Sequence, residues 1–479
     1  MVETFTPLPP VRITPRERVY LGLDPADGYK RVWSSPSDSV GVVGPPRYGK
    51  TSGIIIPTLL YWSGPAVSTT TRGDILRFCG DWRRRVAAPE GDVYVYDPFD
   101  SEGFGREGTE TMRWSPLAGC ADPAVCFRRV QGMTGAVSGL SDGEHWQSGA
   151  ALILRAVFHA AALARVPMSE VRRWLATQET RRPAQILREH PTAAAGWADD
   201  LDSVRLLGER ERGSFYSVAR NCLDATAEPR VLDSCSAVDL DIDHFLATNS
   251  TLFIVGPSHY QAVVAPMIVG LVDSIAQRAA EVAALQGGRL YRPLLLALDE
   301  VANIAPLPSL PSLVSEGGGR GVITLWAAQS LAQVRARYGA DEQQAILTAT
   351  TAKIIYGGMS NEADLRNVSS WGGEQRQVDA TTYGGGGEFE FPNHPTAGAA
   401  GAGQGGPGLG RTPVIRTDPA RQYSLSHVYR PALPMEAIQQ MPPHHAWLWW
   451  QSEPPLHVET RPAGLIEEYR RVSGYTPAP

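Results

Sequence analysis

Short apolar runs ending in polar turn residues alternate with longer amphipathic stretches over much of this chain. Val40–Val43, Ala66–Thr69, Val93–Tyr96, Thr251–Val255, Leu294–Leu298, Val322–Trp326 and Ala352–Tyr356 each have the length and composition of a buried strand. Segments of helical period separate several of them, including Ser52 to about Trp62, with Pro57 as a kink or boundary, and Gln261–Leu285. This alternation predicts crossover connections and an α/β fold with a mostly parallel sheet of seven strands or more. From about Asp122 to Val238 the texture changes to one helix after another: Trp146–Ala164, Ser169–Thr177, Pro183–Glu189 and two helices within Ala194–Asp224. The expected organisation is therefore an all-α domain (122–238) inserted into an α/β domain (38–121 and 239–479). An N-terminal edge segment (1–37) precedes them, with a strand at Arg18–Gly22.

Two further stretches break the pattern. Tyr383–Gly410 is rich in Gly, Ala and Pro and cannot bury enough apolar surface to offset its ordering entropy. A mobile surface loop is expected over 383–410, with a contact segment that orders on assembly as the alternative. Ala446–Trp450, with three tryptophans, reads as core or edge-strand packing rather than a base-stacking platform.

The chemistry is densest after the first buried strand. Gly44, Pro45, Pro46, Arg47, Tyr48, Gly49, Lys50 and Thr51 spell G-x-x-x-x-G-K-T between a strand and a helix that opens at Ser52. Glycines let successive backbone N–H groups turn toward a phosphate, and the helix start adds partial positive charge. Lys50 is suited to the β- and γ-phosphates, and the Thr51 hydroxyl to Mg2+. The chain has three lysines in all, Lys30, Lys50 and Lys353, so a lysine falling here by accident is improbable. A nucleoside triphosphate site is expected.

Composition adds limits. At 479 residues and 43% hydrophobic the chain can bury a large core. Its net charge of −6 shows no overall basic character, although a ring could still enclose a basic lumen. Five scattered cysteines lack zinc spacing and read as reduced thiols. His145, His444 and His445 suit packing or solvent roles better than a metal site. The opening residues lack the apolar core of a signal peptide, and the most apolar stretch, Ala150–Ala164, is broken by Arg155 and His159. No transmembrane segment is expected.

The second half of the site lies in Leu294–Glu300, an apolar strand that delivers Asp299 and Glu300 at its C-terminal end, where parallel sheets bind ligands. Asp299 suits the Mg2+ shell and Glu300 the role of general base or water-positioner. Arg320 follows on a glycine-flanked turn and Gln329 ends the next strand.

Asp299–Ile304, Leu307–Leu310, Glu316–Gly321 and Gln329–Gln333 ending at Tyr338-Gly339 together resemble the type IV secretion coupling proteins. These are conjugative DNA-transfer ATPases related to RecA- and FtsK-like motors. Gly44–Thr51, Ile56–Leu60, Arg72–Asp74, Tyr96–Phe99, Trp114–Leu117, Ser369–Gly373 and Tyr429–Tyr469 extend the resemblance over most of the chain from about Val19. It implies a RecA-like P-loop NTPase with an inserted all-α domain that helps select substrates. It places Arg320 where an arginine reaches a neighbouring subunit's nucleotide, and Gln329 where a glutamine senses the γ-phosphate. It implies a homo-hexamer using ATP and Mg2+, with DNA (single-stranded, without sequence preference), a relaxase or protein effectors, and secretion-channel components as partners.

Two departures stand out. The family's Asp-Pro-Lys-Gly-Glu run reads Thr70-Thr71-Arg72-Gly73-Asp74 here, and residues 1–479 do not include the transmembrane helices with which the family usually opens. That fits either a cytoplasmic piece of a longer protein or a soluble variant recruited by a separate membrane partner. The expected location is cytoplasmic, at the inner face of the cell membrane. The resulting expectation is an ATP-driven motor feeding relaxase-bound DNA to a secretion channel. The alternative is a secretion ATPase for protein effectors, and the complete Asp299-Glu300-Arg320-Gln329 set disfavours a non-catalytic scaffold.

Overall fold

The seven short runs become seven parallel strands, buried almost throughout except at the start of the edge strand Val93–Tyr96, and burial on both faces leaves no polar side to alternate with. In the computed structural model, which describes residues 13–14, 16–104, 110–137, 143–383 and 422–475, the strands are β1 (Tyr20–Asp24), β2 (Lys30–Trp33), β3 (Val40–Val43), β4 (Ala66–Thr70), β5 (Val93–Tyr96), β6 (Thr251–Val255), β7 (Leu294–Leu298), β8 (Val322–Ala328), β9 (Ala352–Tyr356), β10 (Glu374–Tyr383), β11 (Gln422–Pro431), β12 (His445–Trp450) and β13 (Leu456–Glu459). One sheet runs in the order β2-β1-β13-β12-β9-β3-β8-β7-β4-β6-β5. From β9 to β5 every pairing is parallel, and the four strands beyond β9 pair antiparallel. The N-terminal strand lies two residues later than expected.

Between β5 and β6 come helices and no strand among the described residues, including Pro123–Gly135, Gly143–Ala164, Met168–Thr177, Arg181–Glu189, Trp197–Leu206 and Glu209–Asn221. Pro123–Gly135 is anchored to the long helix Gln261–Leu285. Arg128 Nε donates to Gln277 Oε1 (2.8 Å), and buried Arg129 donates to Ser274 Oγ (2.8 Å) and the Pro116 carbonyl (2.8 Å). Two helices, His145–Ala164 and Gln261–Leu285, are long and apolar enough to span a membrane, which the sequence reading did not expect. Their most apolar windows are 61% and 72% buried within the fold, as core helices would be.

Met1–Leu365 with Glu436–Pro479 forms one compact unit and Arg366–Met435 another. The second contains the ribbon β10–β11, paired from Glu374↔Pro431 to Tyr383↔Gln422. Of the glycine-rich stretch 383–410 expected as a mobile loop, Tyr383 is the last residue of β10 and 384–410 lie outside the described residues.

In the first unit, the helix Asp74–Ala87 buries Ile75, Phe78, Cys79 and Arg83 against the sheet. The Arg83 guanidinium, wholly buried, donates to Trp62 O, Gly64 O (2.9 Å) and Thr251 Oγ1 (2.7 Å), tying together the approaches to β4 and β6. Burial pulls its pKa down to about 10. Arg83→Met leaves those acceptors buried without a donor, so the unfolding free energy falls by roughly 3 kcal/mol. Lys30→Met, which breaks only the exposed pair with Asp27, changes it by less than about 0.5 kcal/mol. Denaturant titration of both variants checks the contrast.

Candidate functional site

Strands β3, β8 and β7 are adjacent, and at about 4.8 Å per strand their C-terminal ends span only about 10 Å. The register sets Val43 opposite Ala328 and Leu298 opposite Trp326. The loop after β3, the acids after β7 and the glutamine after β8 therefore share one edge of the sheet.

The loop begins with Gly44, whose N–H donates to Ala328 O (3.2 Å). A Cβ there would meet the Tyr356 side chain, so the strand end needs glycine. Arg47 (φ 68°) and Gly49 (φ 106°) take the left-handed conformations that curl the loop back. Lys50 is buried with its Nζ donating to Gly44 O (2.6 Å) and Pro45 O (2.9 Å), so the ammonium spans the loop it belongs to. The loop's outer side is held by the chain's last strands: His444 N–H donates to Tyr48 O (3.0 Å), and the Thr460 carbonyl lies against Gly53. The following helix starts as a π turn, Thr51–Ile55, before Ile56–Tyr61. Pro57 therefore falls near the start of the α-helical part, where its missing N–H matters least, and the helix runs on through it.

Thr51 Oγ1 donates to Asp299 Oδ2 (2.6 Å), joining the loop to β7. Thr69 Oγ1, at the end of β4, donates to the Asp299 backbone carbonyl (3.0 Å). Burial pushes the Asp299 carboxyl up to about 6, against the Thr51 hydrogen bond and the Lys50 charge, while Glu300 and Asp74 push the same way as burial. Burial pulls the Lys50 pKa down, and the charges of Asp299 and Glu300 partly offset it.

Glu300 sits at φ 48°, a rare conformation for a residue with a side chain. Its carboxylate accepts from Gln329 Nε2 (3.0 Å) at Oε1 and from Asn303 Nδ2 (3.5 Å) at Oε2. Asn303 and Thr69 had no assigned role in the sequence reading. Their only signal was position: three residues past the acid pair, and at a strand end facing the same edge.

Lys50, Thr51, Asp299, Glu300 and Gln329 thus come together, and Pro46 and Arg47 are exposed at the loop's rim. Arg320 does not join them. It precedes β8, whose seven residues put about 20 Å between its two ends. The glycine-flanked turn expected around it is a helical one. Helical turns run from Leu310 to Arg320 and stop at Gly321 (φ 82°). Arg320 Nη2 pairs with Glu316 Oε2 (3.1 Å), both half or more exposed. The departing run Thr70–Asp74 forms its own turn, with Arg72 N–H donating to Thr70 Oγ1 (3.2 Å).

A strand–loop–helix cradle beside strand-end acids on a parallel sheet is the architecture of a RecA-like P-loop NTPase fold. The chain belongs to the Type IV secretory system conjugative DNA transfer family, whose profile matches residues 22–383. It is 25% identical over 328 residues to a conjugal transfer protein TraG of Escherichia coli, covering 62% of this chain and 49% of that protein. A second TraG from the same species is 24% identical over the same length and coverage. The chain thus spans about half the length of the curated relatives it matches. Among solved structures, the bacterial conjugative coupling protein TrwBΔN70 superposes with a TM-score of 0.61 at 17% identity, covering 89% of this chain and 84% of that one. TrwB in complex with ADP and Mg2+ gives 0.59 at 18% identity, covering 89% and 85%.

Asp299 supplies a pH signature. A carboxyl raised by folding from 3.8 to about 6 makes the native state bind more protons in that window. Its stabilising contribution is full below the unfolded pKa and lost as pH rises through about 6. Asp299→Asn should therefore melt higher than wild type without nucleotide, the difference growing from pH 5 to about 7. Paired thermal melts across that range check this, and a pH-independent difference would refute it.

Proposed function

We propose that this chain is the ATP-hydrolysing part of a coupling motor that recruits relaxase-bound DNA and drives it toward a type IV secretion channel. The convergence of Lys50, Thr51, Asp299, Glu300 and Gln329 on one sheet edge carries this reading. ATP is the substrate. The loop 44–52 receives its phosphates on backbone N–H groups, and Lys50 exchanges its loop carbonyls for phosphate oxygens.

The oxygen donors Thr51 Oγ1 and Asp299 Oδ2 fit Mg2+, a hard cation that takes few protein ligands and completes its shell with phosphate and water. Among the described residues no cluster of His, Cys, Asp and Glu could hold a metal unaided, which suits a site finished by substrate. When bound, Mg2+ neutralises charge on the β- and γ-phosphate oxygens. Glu300, oriented by Gln329 and Asn303, accepts a hydrogen bond from the attacking water and aligns it. Gln329 is then positioned to report the state of the γ-phosphate through that contact.

Arg320, at the other end of β8, serves a second copy, so the working form is a ring, a hexamer on the pattern the family resemblance implies. The helical segment 122–238 is the receptor for relaxase or effectors, and the assembly works at the inner face of the cell membrane beside the channel components.

Lys50→Ala and Glu300→Gln should each lower phosphate release by at least about a hundredfold. Glu300→Gln should retain nucleotide binding, which fluorescent-nucleotide titration reads. Near wild-type turnover in either variant would refute the assignment.

Turnover of the wild type should rise with protein concentration and again with single-stranded DNA. The DNA effect should weaken on a log–log salt plot with a slope of about −0.7 per phosphate contacted. Turnover indifferent to DNA would shift the cargo to protein.

A further inference from the structure

Leu285 and Tyr291 are large apolar side chains left 82% and 79% exposed, on a loop bonded directly to the Arg320 turn. The long helix ends at Leu285, and Gly287 (φ 88°) and Gly288 (φ 105°) reverse the chain, with Gly288 N–H donating to Ala283 O (2.8 Å). The returning strand then attaches to the turn. Leu290 N–H donates to Arg320 O (2.9 Å) and Leu294 N–H to Gly321 O (2.8 Å).

Arg289 fastens the same place from the side. Its Nη1 donates to Gly318 O (2.5 Å), Gly319 O (3.4 Å) and Ser37 Oγ (3.2 Å), and its Nη2 to Pro36 O (3.0 Å). Gly318 presses on this segment so closely that a Cβ there would fall on the Ser37 carbonyl oxygen. The loop 285–292, the turn 317–321 and residues 36–37 are therefore one block. Arg320 itself is tethered only loosely, because an exposed i,i+4 pair such as Glu316–Arg320 contributes little and yields to a stronger anion.

We propose that Leu285 and Tyr291 are the apolar anchors that seat this block on the phosphate-loop end of a second copy of the chain, with Arg289 the positioning residue that holds the Arg320 turn. The inference rests on the reading of Arg320 given above. The anion that suits a projecting guanidinium is a triphosphate, and the cradle for one lies at the far end of this chain's own β8. A second copy is thus the occupant that brings the two together. Exposed Tyr beside Arg is also the composition of interface hot spots.

The test is the double variant Leu285→Glu/Tyr291→Glu, whose changes lie on exposed side chains and leave thermal unfolding near that of wild type. Sedimentation velocity with a non-hydrolysable ATP analogue should show self-association weakened at least about tenfold. ATP turnover should lose its rise with protein concentration, with nucleotide affinity retained. Mixing in Lys50→Ala protein, which has an intact anchor face and a dead phosphate loop, should restore turnover. Arg289→Gln should lower kcat in the assembled form by at least about tenfold with KM nearly unchanged.

Wild-type association or undiminished concentration dependence in the double variant would overturn the proposal. So would a wild-type chain that stays monomeric with the analogue, or a mixture that regains nothing. A wild type that associates but never hydrolyses ATP would sink the motor reading while sedimentation still judges the anchors.

Discussion

The 2.6 Å hydrogen bond from the Thr51 hydroxyl to the Asp299 carboxylate ties the phosphate loop to the sheet, and the site is arranged around it. It exists because β3 and β7 are separated by a single strand and β7 stops two residues short of the level of β3, so Asp299 follows its end beside the start of the phosphate loop. That intervening strand, β8, brings Gln329 to Glu300 by the same register. Three short apolar runs, distant in sequence, thus fix five polar side chains without any of the five having to specify the fold. The fold is set by burial of Val40–Val43, Leu294–Leu298 and Val322–Ala328, and the chemistry occupies the positions just past their ends.

Those positions are not comfortable. Asp299 is buried with its carboxyl pushed up to about 6, Lys50 is buried beside it, and Glu300 adopts a left-handed backbone. Each feature costs stability in the nucleotide-free chain, and such costs concentrate where a site is pre-organised for a charged ligand. The surrounding fold offsets them. Thr69, Asn303 and Gln329 hold the acids, and the β12–β13 end of the chain grips the loop through His444 and Thr460.

Most of the seven parallel strands were legible because burial on both faces turns them into apolar runs. Ala66–Thr70 was legible despite its hydroxyl residues because these are small or β-branched. β2 and β13 were not, since Lys30–Trp33 and Leu456–Glu459 are partly exposed and carry no such run. β10 was hidden for the same reason, being mostly polar from Glu374 to Tyr383. The helix Asp74–Ala87 escaped notice because four arginines and two aspartates dilute its apolar stripe, and its most buried charged residue, Arg83, is recognisable only from its carbonyl partners. The phosphate loop and acid pair were plain from spacing alone. Glu300's partner Asn303 and Asp299's partner Thr69 were not, because ordinary polar residues gain meaning only from the strand register. The glycines flanking Arg320 suggested a turn from which its guanidinium projects, and Gly318 is required there by a close approach of Ser37, so the same residues build a tight helical end.

This tightness matters for how hydrolysis could be transmitted. A flexible turn would let Arg320 search for its target independently of the strand that follows. A helical end bonded to Leu290 and clamped by Arg289 instead makes Arg320 an extension of β8, whose other end is Gln329 against Glu300. On the proposed reading, one strand has at one end the group that senses this chain's γ-phosphate and at the other the group lent to a neighbour. Buried strands in a packed sheet shift as units rather than bend. A displacement of Gln329 on phosphate release would then reach Arg320 without any separate relay, and neighbouring sites in a ring would be coupled by the stiffness of a single seven-residue strand.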